Sequence, residues 1–307
     1  MSSYTGILPL YKPKGITSHD CIFRLRKILR YKKIGHTGTL DPEVDGVLPI
    51  CLGRATKISE YLLNYPKSYR GIIRLGQATD TEDATGQVIE EKKVQRTLNR
   101  QDIEGVFNSF KGVIQQVPPM YSAVKVNGKK LYEYARAGMT ITRPVRQVTI
   151  YDLRIHGNQS VFESEIPFDV KCSKGTYVRT LAVDIGKKCG YPAHLGTLTR
   201  TSAGPFQVND CLTFEEIEQA VHENRFSECL STISYALQYM PSLSVDKNLE
   251  EKIINGAVLP LMTQEGKSPF AIFNQAGDCL AIYQKHPDKE GLMKPVKVLL
   301  IKEDDRR

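Results

Sequence analysis

"KKIGHTGTLDPEVDGVLPICLGRATK", Lys32 to Lys57, is the stretch on which the reading of the fold turns. Gly35, Gly38, Gly46 and Gly53 and the Asp41-Pro42 step mark turns and places where backbone or ligand can come close. The apolar run Val47–Leu52 that follows predicts a buried strand. The loop is therefore pinned to a core, and it presents one carboxylate, Asp41. A carboxylate on a rigid element suits a nucleophile or a base. The competing reading is an ordinary helix start, with Asp41 as the cap, Pro42 in the first position and Glu43 in the first turn.

Outward from this loop the chain alternates between helical and strand patterns. Ile7–Tyr11 reads as a strand that ends at the turn "KPKG". Thr17 or Ser18 then caps a helix running to about Arg30, with Ile22, Leu25, Ile28 and Leu29 at helical spacing. "RATKISEYLLNYP" predicts a helix stopped by Pro66. "SYRGIIRLG" predicts a strand, "QATDTEDATG" a polar loop, and Arg100–Phe110 a helix. Asn127-Gly128 signals a hairpin, followed by a short helix. Two strands are expected to flank Gly157-Asn158. A helix from about Thr176 carries the core stripe Val178, Leu181, Ala182 and Ile185. "HLGTLTRTSAGPF" is strand-like, a further helix starts near Thr213, and short apolar runs after about Pro241 suggest a small β-rich module. The pattern predicts a mixed α/β fold, with the strand order unreadable.

The chain has 307 residues, 41% hydrophobic and 25% charged, the balance of a globular protein with one large and one small domain. Its seven cysteines contain no C-x-x-C pair, which argues against a zinc site and for free, mostly buried thiols in a reducing compartment. The first residues lack the apolar run of a signal peptide, and no stretch is long and apolar enough for a membrane span, so a cytoplasmic protein is expected. The net charge of +8 comes from 42 basic and 34 acidic residues and matters only if it clusters. It does. Lys12, Lys14, Arg24, Arg26, Lys27, Arg30, Lys32 and Lys33 are opposed only by Asp20. Lys125, Lys129, Lys130, Arg136, Arg143 and Arg146 are opposed only by Glu133, among Tyr121, Tyr132 and Tyr134. Basic side chains attract phosphates and tyrosine rings stack on unpaired bases, so nucleic acid is favoured over two merely solvated faces.

A nucleophilic carboxylate must stay ionised and be aimed, which calls for a guanidinium fork or backbone donors beside it. Arg179 in "KGTYVRT" stands out, one position past Val178 and so beside the buried face. A surface arginine with a packed-down stem is the alternative.

Five segments together, "KPKGITSHD", "GHTGTLDPEVDGVLPICLGRATK", "SYRGIIRLGQATDTEDATG", "CSKGTYVRTLAVDIG" and "HLGTLTRTSAGPF", resemble in order the TruB family of tRNA pseudouridine synthases. The resemblance spans about Ile7 to Phe206. It implies isomerisation of the T-loop uridine of tRNA, U55, to pseudouridine. It also implies a pseudouridine synthase fold: a central mixed, largely antiparallel sheet flanked by helices, over 1–240, and a PUA-like docking module over 241–307. An RNA-binding insertion is expected at about 117–146. By resemblance Asp41 is the catalytic aspartate, Tyr177 an active-site tyrosine and Arg179 the arginine paired with the aspartate. Tyr69 stacks on the uracil, Leu198 lines the pocket, His36 helps displace the base, and Lys12 supports the active-site loop. Tyr177 is the candidate to take the C5 proton, with help from a neighbour such as Arg179. The chemistry is redox-neutral, so no cofactor is expected. The expected partner is the tRNA T stem-loop, with no membrane, no obligatory protein partner and a monomeric chain.

One position departs from the family pattern. A small residue followed by Thr or Ser usually precedes the glycine of "GVLP", and here Val44-Asp45 stands instead. Asp45 is read as turn-stabilising or solvent-facing; if it is neither, it competes with Asp41 as nucleophile. Two other functions fit part of the pattern. One is a non-catalytic RNA binder or guide-RNA-dependent subunit of the same fold. The other is a metal- or phosphate-dependent enzyme, although "GHTGTLDPEVDG" lacks the G-x-x-x-x-G-K-[ST] spacing and no H-x-x-x-H pair occurs.

Overall fold

The structure is a computed structural model describing residues 4–262 and 268–300; residues 263–267 and 301–307 of the expected C-terminal module lie outside them. The chain begins with β1 (Gly6–Lys12), α1 (Ser18–Leu29), β2 (Ile34–His36), β3 (Asp45–Leu52), α2 (Ser59–Leu63) and β4 (Lys67–Leu75). Then come β5 (Gln77–Thr79), β6 (Val88–Glu91), β7 (Leu98–Asn99), α3 (Arg100–Asn108), β8 (Gly112–Gln116), β9 (Lys125–Val126), β10 (Lys129–Lys130) and α4 (Leu131–Arg136). The third stretch holds β11 (Arg146–Ile155), β12 (Val161–Phe162), β13 (Glu165–Cys172), α5 (Val178–Cys189), β14 (Ala193–Ala203), β15 (Phe206–Gln207), α6 (Phe214–His222) and α7 (Ile233–Ala236). The chain closes with β16 (Ser242–Ser244), α8 (Lys247–Ile254), β17 (Leu259–Pro260), β18 (Phe270–Phe273), β19 (Cys279–Lys285) and β20 (Leu292–Val298).

A nine-stranded sheet runs in the order β1-β3-β14-β4-β13-β11-β8, with β2 on β3 and β15 on β14. Every pairing is antiparallel except β14 with β3. The expected mixed, largely antiparallel sheet is what forms. The first helix starts where Thr17 and Asp20 cap each other's backbone, and ends at Arg30 in the left-handed region. Its stripe Cys21, Ile22, Leu25 and Leu29 joins Leu8, Leu10, Leu48 and Ile50 in the main core. The alternate residues Ile7, Val47 and Cys51 face the other way and pack with Ala271, Cys279 and Ile282 of the second sheet and with Leu299 just past β20. β1 and β3 are thus buried on both faces, which is why Val47–Leu52 reads as a continuous apolar run. The second sheet, β16-β18-β19-β20-β17, has its own core around Ile253, Phe270, Leu280 and Tyr283.

Four local expectations change. "RATKISEYLLNYP" is a 3-10 turn, Gly53–Ile58, followed by the short α2, not one helix. The polar loop "QATDTEDATG" contains β5, which pairs with β6. The strand following Gly157-Asn158 is β12, but it pairs with β7; the hairpin partner of β11 is β13, which carries the longer apolar alternation. The helix expected from Thr176 begins at Val178, after a turn in which Gly175 has φ 80°. All seven cysteines are free, four of them buried.

Candidate active site

No helix starts at Asp41. The segment 37–44 is a turn between β2 and β3, closed by Val44 N–H donating to the Asp41 carbonyl at 3.0 Å. The turn is fastened on three sides. Gly15 N–H donates to Pro42 O at 3.0 Å, and Thr37 N–H to Pro49 O at 3.1 Å. The Ser18 hydroxyl accepts from Leu40 N–H at 2.9 Å. Lys12, fully buried, reaches beneath it and donates through Nζ to the carbonyls of Pro13 (2.9 Å), Pro42 (3.0 Å) and Val44 (2.8 Å). Burial lowers the Lys12 pKa, so the ammonium is held there at a cost that the three carbonyls offset. Beyond the turn β3 crosses β14 so closely that a Cβ on Gly46 would lie 2.2 Å from the Arg200 carbonyl oxygen, and Gly46 has φ +104°. Only glycine fits there.

Asp41 is half exposed and its Oδ2 lies 2.9 Å from Arg179 Nη2. Arg179 sits in the first turn of α5 with its side chain 8% exposed. Its fork is fixed on every side. Nη1 donates to Thr81 O at 2.9 Å, Nη2 donates to Tyr121 O at 3.0 Å, and Asp83 Oδ2 stands 3.7 Å from Nη1. Asp83 is itself held by Thr81 Oγ1 (2.8 Å) and Thr85 N–H (3.0 Å). The arginine expected to flank the apolar stripe is therefore buried with it, because backbone carbonyls and carboxylates satisfy its donors. The Tyr177 hydroxyl is not among its partners. The peptide of Tyr177 is clamped by the buried Gln116, whose Oε1 accepts from Tyr177 N–H at 2.8 Å and whose Nε2 donates to Tyr177 O at 3.0 Å.

These groups surround a cavity of about 330 Å³. Asp41, Tyr69, Tyr177, Arg179 and Leu198 line it together. Tyr69 shares the inward face of β4, and burial raises its pKa, which keeps the phenol neutral. Two expected residues do not line the cavity. Lys12 lies under the loop. His36 lies on β2, its buried Nδ1 without a hydrogen-bond partner among the described residues and its pKa lowered by burial and by Arg200. Asp45 is not solvent-facing. It opens β3 and accepts from Tyr11 Oη at 3.0 Å and Thr199 Oγ1 at 2.6 Å, tying three strands.

Comparison with known proteins agrees with this architecture. The sequence profile of the TruB family pseudouridylate synthase N-terminal domain matches residues 26–178, and that of the tRNA pseudouridylate synthase B C-terminal domain matches 179–238. A Bacillus cytotoxicus tRNA pseudouridine synthase B is 53% identical over 299 residues, 96% of this chain and 97% of that protein. The Bacillus licheniformis protein of the same name is 51% identical over 313 residues, 98% and 99% of the two chains. Among solved structures, a chain of a Cbf5-Nop10-Gar1 complex superposes with a TM-score of 0.75 at 25% identity, covering 97% of this chain and 85% of that one. An archaeal box H/ACA Nop10-Cbf5 structure gives 0.72 at 22%, covering 98% and 88%, and shares the fold. The fold is that of a pseudouridine synthase. The chain belongs to the TruB family.

Sequence reasoning missed Lys67, Ser122 and Arg200, all buried and all lining the cavity. A signal existed for two of them. Lys67 is in phase with Tyr69, Gly71, Ile73 and Leu75 on β4, and Arg200 is in phase with Leu198 and Ser202 on β14. A cation in the inward phase of a strand is an anomaly that periodicity exposes.

Proposed function

We propose that this protein converts the T-loop uridine of tRNA, U55, to pseudouridine, with Asp41 as the catalytic carboxylate. The single observation that carries this reading is the ion pair of Asp41 with buried Arg179 at the edge of a nucleoside-sized cavity that also holds Tyr69, Tyr177 and Leu198. A base inside a folded loop must leave its stack first, at a cost of a few kcal/mol, and an aromatic platform offsets part of that. Tyr69 is that platform and Leu198 its apolar wall. Arg179 aims Asp41, since three further partners stop the guanidinium from turning. Asp41 then adds to uracil C6, attacks C1′, or takes a sugar proton. The N1–C1′ bond breaks, the ring turns, C5 bonds to C1′, and the C5 proton leaves with Tyr177 nearest in role. No electron carrier enters the balance.

The supporting parts follow from the same reading. Lys12 braces the Asp41 turn, and His36 helps to unseat the base. The β9–β10 hairpin and α4, inside the basic 117–146 segment, close over the stem-loop. Residues 1–240 form the catalytic unit and 241–307 the PUA-like docking module. The chain works as a monomer in the cytoplasm without a protein partner. Release of tritium from 5-tritiated uridine in a T-loop transcript, by purified protein alone, tests the reading. Tight binding without release would turn the protein into an RNA binder or a guide-dependent subunit.

A further inference from the structure

The cavity is lined by four cationic side chains, Lys67, Lys174, Arg179 and Arg200, and by one carboxylate, Asp41. Asp41 pairs with Arg179. Lys67 and Arg200 are 6% and 1% exposed; among the described residues main-chain carbonyls hold both, and Arg200 also meets the Tyr69 hydroxyl. Lys67 Nζ donates to Leu63 O at 2.6 Å and Tyr65 O at 2.8 Å. Arg200 donates from Nε to Val47 O at 2.6 Å and from Nη2 to Gly38 O at 3.2 Å. Neither cation has a carboxylate partner among the described residues, and carbonyl dipoles offset only part of the cost of burying two such charges. A site built this way is preorganised for an anion that is not yet there.

Uridine is neutral, yet its base becomes anionic during the isomerisation. When the C1′–N1 bond breaks, both electrons stay on N1, and the ring spreads the charge over N1, O2 and O4. When C5 bonds to C1′, that electron pair returns as the new C–C bond and the C5 proton leaves. If Asp41 adds to C6 first, the same ring carries the charge as an enolate through O4. We infer that Lys67, backed by Arg200, stabilises the negative charge on the uracil ring while it is detached from the ribose. This rests on the proposed isomerase activity and assigns the cavity a second charged wall, opposite in purpose to the Asp41–Arg179 pair.

The alternative is that Lys67 only caps the C-terminal carbonyls of α2. The two differ in pH dependence. Lys67 faces Arg200 on β14, Cys172 on β13 and Lys174 just beyond it, with Asp41 across the cavity. Burial pushes the Lys67 ammonium down to about 8, and Arg200 pushes the same way. The Cys172 thiol is pushed up to about 11 by burial, and burial also raises Tyr69, so neither loses its proton before Lys67 does.

Single-turnover kinetics on the 5-tritiated T-loop transcript, from pH 6.5 to 9.5, decide the matter for wild type, Lys67→Met and Lys67→Arg. Lys67→Met is expected to lose on the order of 10- to 100-fold in kcat with little change in KM, because the charge it would stabilise exists only past the ground state. Lys67→Arg restores most of the rate. The wild-type rate declines above about pH 8, and that decline is absent in Lys67→Arg, whose cation does not titrate there. A Lys67→Met variant with wild-type kcat overturns the inference. So does a rise in KM alone, which would mark a contact to a backbone phosphate, or an unchanged alkaline decline in Lys67→Arg. If Lys67→Met does not fold, the comparison of wild type with Lys67→Arg decides alone. Wild type that releases no tritium at any pH refutes the isomerase reading itself.

Discussion

Replacing Lys12 by Met tests whether the turn that carries Asp41 is held from below. The side chain is fully buried and its ammonium satisfies three carbonyls, of Pro13, Pro42 and Val44. Methionine fills similar space but offers no donor. A buried acceptor left unpaired costs roughly 1–3 kcal/mol, so three give a gross loss of about 3–9 kcal/mol. Removing the buried charge returns part of this, since the lowered pKa of Lys12 shows that desolvation penalises the ammonium. The net is about 3 kcal/mol, which for a chain of 307 residues lowers Tm by roughly 5 °C. Activity should fall further than stability does. Two of the three carbonyls, of Pro42 and Val44, lie in the turn just after Asp41, and a displacement of about 1 Å at a reacting group costs on the order of 100-fold in rate. The assay pairs differential scanning calorimetry with tritium release at saturating RNA, well below the variant's Tm. Lys14→Met, on an exposed neighbour, is the control and should change neither. A Lys12→Met protein with the wild-type rate would show that Gly15, Ser18 and Thr37 hold the turn unaided and that the buried lysine is not its brace.

The two neighbouring carboxylates separate by what they touch. Asp41→Asn should abolish tritium release while leaving Tm nearly unchanged, whereas Asp45→Asn should keep the chemistry and lose about 1–3 kcal/mol of stability, because Tyr11 and Thr199 exchange a charged acceptor for a neutral one. Release by Asp41→Asn with an inactive, stable Asp45→Asn would reverse the assignment. Deleting Val126–Thr142 should weaken RNA binding, read by filter retention, far more than it lowers Tm; a collapsed Tm would make this segment a core element. His36 gives a pH test. Its pKa is lowered by burial, so in the window below the ordinary value of 6.5 the unfolded chain binds more protons than the folded one. Folded stability should therefore drop as pH falls through about 6.5, and His36→Asn should flatten that slope in urea titrations; an unchanged slope would assign it to other groups.

Elements were legible wherever one face decided their fate. The stripe on α5 and the buried strand at Val47–Leu52 follow from the apolar pattern and formed as read, and of the two caps offered for α1, Thr17 or Ser18, it is Thr17 that caps. Pairing was not legible, because partners such as β14 and β3 are neighbours in the sheet but 154 residues apart in the chain where Thr199 meets Asp45, and nothing local in either strand names the other. The site divides in the same way. Asp41 announced itself through the rigid loop around it. Arg179 could be picked out near a buried stripe, but its burial depends on Thr81, Asp83 and Tyr121 arriving from two distant segments. Lys67 and Arg200 were overlooked because strand reading assumes that a cation points to water. In this fold the inward phase of β4 and β14 ends at a cavity instead of a core, so the charges there have a purpose that packing alone does not supply. Where period two puts a lysine or arginine in phase with core residues, the sequence is marking the wall of a site, and the substrate's chemistry has to explain the charge.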